Sequence, residues 1–343
     1  MEKKNQHYVP QFCLRQFASD SSKGINIYNF KLRKIIRNSS IKHQASEDYF
    51  YSRNTEIEKS LADLERCVYD IYSNCMNNLS VPMRNSEQRS DLILFISILY
   101  TRTLASLQFQ KEAYEKLIKI LHGKYPDFNI GKNNVCDSDH VLARLSIGID
   151  AAKYLDDLDM KLLKNETNRP LVYSDNPVIL YNQFTEQYNR MDTGYISKGL
   201  EVILPLSFNF CLLLYDSSVY KIGTKKSNFI SITREKDVDY LNALQFLSAH
   251  ENVYFSNECS EIYINNIAKK YSNLRSKEKN DVIEYKSISD DKTSLLTLES
   301  KHIFCKLRLS FVKFLKKSKS YIYDTSIIAH KREKYVNVNG FVK

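Results

Sequence analysis

The sequence predicts an α+β fold, with long helices segregated from a run of short strands instead of alternating with them. Three observations carry this. Helical periodicity is concentrated between residues 55 and 165, whereas short apolar segments rich in β-branched and aromatic residues cluster between 171 and 233. The composition also supports a packed core: 43% of the 343 residues are hydrophobic against 26% charged, with 24 Tyr and 17 Phe. Eight Gly and six Pro are too few for a collagen-like or turn-saturated chain.

The elements follow in order. Asn5 to Ala18 starts extended, because Pro10 pushes Val9 out of the helical region, and then suits a short helix from Pro10. Ile25 to Ile36 alternates like a short β pair. Thr55-x-x-Glu58 forms a capping-box pattern, behind which Ile57, Leu61, Leu64, Val68, Ile71 and Cys75 recur every three or four residues, predicting a helix over 55–77. Asn85 or Ser86 caps a second helix, running to Leu121 through Leu92, Phe95, Ile96, Leu99 and Leu107. A third follows Ser138 and ends before Asn165. Five strands are expected at 171–174, 178–181, 200–206, 210–215 and 229–233, forming one antiparallel or mixed sheet. Helices at 235–250 and 258–271 flank a strand at 253–256.

The domain reading is one unit over 1–271, a polar linker or surface excursion over 272–293, and a basic segment over 294–343. Residues 301–343 hold eleven Lys or Arg against Asp324 and Glu333, so +9 of the net +10 lies there. Phe304, Leu307, Phe311, Phe314 and Leu315 share one helical face, with Lys306, Arg308, Lys313, Lys316 and Lys317 elsewhere on the wheel. This predicts a basic amphipathic helix able to meet nucleic acid or an anionic surface. The start Met-Glu-Lys-Lys-Asn-Gln has no apolar core, which fits a cytoplasmic chain. The longest apolar run, Leu92 to Tyr100, is about half of the roughly 20 residues that span a bilayer, so no transmembrane segment is expected. Seven dispersed Cys without a CxxC pair argue against a zinc cage.

HYVPQFCLRQFA at 7–18, the Glu58-to-Glu65 helix, Arg102-Thr103, YSDNPV at 173–178, LPLS at 204–207, and the Asn242 helix before VYFS at 253–256 occur in that order. Together they resemble the domain-of-unknown-function family 4238 of bacteria and fungi, over residues 5–260. The resemblance implies that His7, Arg102, Asp175, Asn176 and Asn242 belong to one site. It implies no activity, and is compatible with a role in bacterial defence against phage.

Chemistry narrows the roles. Asp175-Asn176-Pro177 lies between strand segments, where a loop can present side chains or simply turn the chain. Arg102 falls beside the apolar stripe of a long helix and needs an acidic partner if buried, for which Asp175 is the candidate, as a structural pair or an anion-binding one. His7 can serve as base, phosphate contact or packed side chain. Asp175 and Glu201, both at strand starts, could ligate one Mg²⁺ or Mn²⁺ as in metal-dependent nucleases, although Glu201-Val202-Ile203 lacks the usual lysine. GxGxxG, GxxxxGK[ST], HExxH and GxSxG are all missing. Two readings stand: a nucleic-acid-acting, nuclease-like hydrolase, or a non-catalytic binding or protein-interaction module whose motif residues form a structural polar network.

Overall fold

The computed structural model describes residues 4–18, 24–51, 53, 55–125, 135–224, 226–275, 280–286, 294–300, 305–318 and 330–336. Strand β1 (Asn5–His7) leads through Pro10 into the short helix α1 (Gln11–Arg15). Strands β2 (Gly24–Asn29), β3 (Lys34–Ser40) and β4 (Ser46–Asp48) follow, with β4 pairing back onto β1. Helix α2 (Thr55–Asn78) occupies the stretch its periodicity marked.

The expected single helix from Ser86 to Leu121 is two helices, α3 (Glu87–Thr101) and α4 (Leu104–Lys124), meeting at a 57° bend. Arg102 and Thr103 make the break. Thr103 is extended and its hydroxyl accepts from the amide of Ser106 at 3.2 Å, so a side-chain cap starts a new helix where the apolar period continues. Helix α3 is buried nearly all round, through Leu92, Phe95, Ile96 and Leu99. Against it lies α5 (Asp137–Ala151), close enough for the Ser97 hydroxyl to donate to the Gly148 carbonyl at 2.6 Å; a Cβ at Gly148 would collide with Thr101. No single helix among the described residues is long and apolar enough to cross a membrane.

The third helix was expected to persist toward Asn165, but β5 (Asp159–Asn165) takes its place. It is a central strand whose residues are almost all buried, so it shows no alternation to read. Strands β6 (Tyr173–Ser174), β7 (Ile179–Tyr181), β8 (Glu201–Ser207) and β9 (Phe210–Tyr215) follow, with α6 (Gln183–Glu186) between β7 and β8. Then come β10 (Tyr220–Ile222), β11 (Phe229–Ile232), α7 (Glu235–Ser248), β12 (Asn252–Phe255) and α8 (Glu261–Tyr271).

The expected single sheet is two. A mixed five-stranded sheet has the order β11-β5-β9-β8-β7, parallel only between β11 and β5. An antiparallel four-stranded sheet has the order β3-β2-β12-β6. Strand β8 tolerates Pro205 because the register with β9 shifts between Pro205 and Ser207. The chain therefore has an α+β fold. One apolar core spans α1 to α5 and the five-stranded sheet, and a second packs α7 and α8 on Val172, Val253 and Phe255.

The region read as linker contains β13 (Asn280–Lys286), which pairs antiparallel with β14 (Ser294–Ser300). The expected basic α-helix does not form: residues 305–309 are irregular, with Lys306 left-handed at φ 53°, 312–314 form a strand, and 316–318 make only a 3-10 turn. Phe304 lies outside the described residues, but Leu307 and Leu309 are buried while Lys306 and Arg308 are exposed, a period of two. Strand β15 (Val312–Phe314) then adds antiparallel to β10. Farther on, Arg332 is buried, donating from Nε and Nη2 to the two carboxylate oxygens of Asp157 at 2.7 and 2.9 Å and from Nη1 to the Ser197 carbonyl.

Candidate functional site

The motif residues divide between a sealed polar frame and an open cavity. In the frame, Asp175 follows β6 and is fully buried. Its carboxylate accepts from the backbone amides of His250, Glu251 and Asn252 at 2.6, 2.7 and 2.8 Å, clamping the turn between α7 and β12. Burial raises its pKa above the ordinary carboxylate value, opposed by these amides and by the neighbouring His250. Asn176 donates to the Ser248 carbonyl and hydroxyl, and its Oδ1 accepts from the Thr103 hydroxyl at 2.9 Å. Asn242 on α7 accepts from the Val172 amide and donates to the Pro170 carbonyl and the Tyr263 hydroxyl. Gln245, one turn nearer the helix end, accepts from both the Ser174 amide and hydroxyl and donates to the Pro177 carbonyl. These side chains hold the SDNP loop to α7 and, through Thr103, to the break between α3 and α4.

Arg102 corrects the expected pairing. Its guanidinium is 1% exposed, and its acidic partner is Glu65 of α2, with Nη1 to Oε1 at 2.9 Å, not Asp175, whose oxygens the amides of 250–252 already occupy. Phe95 lies under the guanidinium at 5.7 Å. Desolvation works against the charge, but Tyr51 and Glu65 overcome it and leave the Arg102 pKa raised. Among the described residues no acceptor meets its Nε or Nη2.

Glu65 leads to the cavity. It is 26% exposed and lines a space of about 600 Å³ between the HYVP segment and one face of α2. His7, Gln11, Phe12 and Arg15 form one wall. Glu58, Leu61, Ala62, Glu65, Arg66 and Tyr69 form the other, the last five lying three, four, seven, eight and eleven residues after Glu58, so that α2 presents them on one side. The first wall is organised from within: Arg15 Nη2 donates to Gln11 Oε1 at 2.8 Å, and Gln11 Nε2 donates to His7 Nε2 at 3.3 Å. That contact makes His7 Nε2 an acceptor, which places the proton of a neutral ring on Nδ1. Tyr51, also on the cavity, donates to the His7 carbonyl at 2.9 Å. Phe12 and Tyr69 meet edge to face, 6.0 Å apart.

Glu201 opens β8 in the five-stranded sheet, whereas Asp175 lies in the loop just after β6, a strand of the four-stranded sheet. The two carboxylates expected to share a cation each have their own protein donors, the amides of 250–252 for Asp175 and Gln183 of α6 for Glu201. Gln183 Nε2 reaches both oxygens of Glu201 at 2.8 and 3.1 Å. Burial pushes the Glu201 pKa up to about 8 against the effect of Gln183. Among the described residues no group of three or more His, Cys, Asp or Glu side chains is arranged to hold a metal ion. Of the basic residues expected to meet nucleic acid, Lys306, Lys313, Lys316 and Lys317 are exposed, and Arg308, half exposed, faces Glu186 at 3.4 Å.

Sequence reasoning singled out His7 and Arg102 but assigned no role to Glu65, Tyr51, Gln11 or Arg15. The available signal was the interruption of the α2 stripe by Glu58 and Glu65, seven residues apart on a face that otherwise packs. No curated protein and no solved structure matches the chain. A family model described as a protein of unknown function, DUF4238, matches residues 5–258, taking in the HYVP wall of the cavity, the Arg102–Glu65 pair and the SDNP frame, and the chain belongs to that family.

Proposed function

We propose that this chain is a ligand-binding module whose buried family residues form a structural frame, and that the frame serves to present the cavity between α1 and α2. The observation that carries this reading is Glu65. It belongs to both parts, held from behind by the sealed Arg102 and open to the cavity in front. Asp175, Asn176 and Asn242 have their polar atoms committed to backbone and neighbouring side chains, which is the behaviour of a scaffold. The test is a thermal-shift screen of small polar compounds on the wild type and on Ala62→Trp. Ala62 is exposed on the cavity wall, so a large side chain there fills the space without touching the frame. Ligands should raise the Tm of the wild type alone. Hits that stabilise both proteins equally would overturn the reading.

The exposed Lys306, Lys313, Lys316 and Lys317 favour a second reading, a nucleic-acid-acting protein, with which a defence role is compatible. Its test is incubation with DNA and RNA, with and without Mg²⁺ or Mn²⁺. Metal-dependent cleavage lost in Glu201→Gln would replace the module reading with a hydrolytic one.

A further inference from the structure

We infer that the cavity takes a purine nucleotide with guanine as the preferred base; this rests on the cavity being the ligand site. A ligand in this cavity meets the groups that its walls hold in place. On the α2 wall the best defined of these is the carboxylate of Glu65, which when ionised only accepts hydrogen bonds. Arg102 pins Glu65 at 2.9 Å from behind, so its carboxylate keeps its orientation and the ligand must bring N–H donors to it. Arg15, which gives Nη2 to Gln11, and Arg66, which gives Nη1 to Asp63 at 3.2 Å, both have further N–H groups that only donate, so acceptors or anionic oxygens on the same molecule find partners there. Phe12, Tyr69 and Leu61 add apolar surface that suits a flat ring.

Guanine meets these demands together. Its ring N1–H and exocyclic amine stand side by side and match the two oxygens of one carboxylate, while O6 and N7 are the acceptors that arginine takes in a fork. A phosphate supplies the remaining arginine with its preferred partner. Adenine lacks the ring N–H beside its amine, and cytosine and uracil present shorter edges. An amino-acid zwitterion carries both charges but has no flat face, and it fills little of a space of about 600 Å³. The base can arrive as a free nucleotide or as an unpaired residue of a strand, since the recognising chemistry is the same.

Calorimetric titration of the full chain with GMP, IMP, AMP, guanosine, L-arginine and short single-stranded oligonucleotides with and without guanine tests the assignment. GMP should bind at least tenfold more tightly than IMP, which lacks the exocyclic amine. Glu65→Gln, whose amide oxygen still reaches Arg102, should remove that preference. Arg15→Ala, an exposed change that spares the fold, should weaken GMP but not guanosine. A guanine oligonucleotide binding more tightly than GMP would identify the strand as the source; equal or weaker binding would identify the free nucleotide. Equal affinity for GMP and IMP, or GMP affinity unchanged in both variants, would overturn the inference. If no nucleotide binds while other compounds stabilise the wild type and not Ala62→Trp, the nucleotide assignment falls and the ligand-site reading stands. If GMP binds Ala62→Trp as well as wild type, both fall.

Discussion

Asp175 is a loop carboxylate whose oxygens are committed to the backbone. Three backbone amides converge on it, and removing the acceptor leaves three partly buried donors without it. At about 1–3 kcal/mol for each orphaned group, partly relieved by entering water, Asp175→Ala should cost about 3–5 kcal/mol in urea unfolding. The Arg102–Glu65 pair behaves differently, because its cost lies in the unpaired charge. Glu65→Ala should destabilise by about 3–5 kcal/mol, whereas Arg102→Met with Glu65→Leu should recover most of that loss, giving a strong coupling in a double-mutant cycle. Glu201 sets a pH dependence. Its pKa in the fold, about 8, lies above the ordinary 4.5, so between those values the folded chain holds a proton that the unfolded chain has lost. Its contribution to stability is therefore complete below pH 4.5 and is lost as pH rises toward 8. Glu201→Gln should lack that slope, and its Tm should gain on the wild type across the interval and then level off. A constant difference between the two melting curves would contradict this.

At the scale of elements, the break at Arg102-Thr103 does more than bend a helix. Thr103 caps α4 and donates to Asn176, so one hydroxyl joins the helical layer to the SDNP loop. Thr103→Ala should cost about 1–2 kcal/mol, the usual loss of a cap with one extra hydrogen bond, measurable by chemical denaturation. This break was hidden in the sequence because the apolar spacing of Leu99 and Leu107 runs across it. Other elements were plain. Helix α2 and strand β9 fall where the pattern put them, since an amphipathic stripe and a bounded apolar run are each unambiguous at their lengths. Strand β5 was lost because burial on both faces erases alternation. Strand β13 was lost because its polar composition reads as linker, and β14 because it falls in the stretch read as the start of the basic segment. The site was half legible for a related reason. His7 and Arg102 could be named from motifs, but Glu65 is a common surface residue type whose importance comes only from the buried cation that α3 places behind it.

The whole molecule depends on the segment that sequence reading set apart. Residues 305–315 place Leu307 and Leu309 in the main core, bond Ser310 to Asp237, and extend β10 with β15. Leu309→Ala should therefore cost about 2–5 kcal/mol, as for a core leucine, and removing residues 305–343 should lower solubility as well as Tm. A truncated chain that melts like the full one would show that these contacts add nothing. The positive charge survives this packing, because the alternation that buries the leucines turns Lys306 and Arg308 outward. Any nucleic-acid contact made there should weaken with salt, by a logarithmic slope of about −0.9 for each phosphate neutralised on duplex DNA.

The clasp of Arg332 on Asp157 spans 175 residues of sequence, and β15 reaches back to β10 across roughly ninety. Both contacts join chain that leaves the ribosome late to chain that left it early. At ordinary elongation rates of about 5–20 residues per second, Asp157 waits on the order of ten seconds for its arginine. Meanwhile β10 lacks its strand partner and the core lacks Leu307 and Leu309, and unpaired strands and uncovered apolar surface recruit chaperones or drive association. Completion of these contacts is thus tied to synthesis through residue 332. Contacts of such long range also make for slow closure once the chain is free. A nascent chain arrested before residue 305 should accordingly be more protease-sensitive around β10 than the released protein.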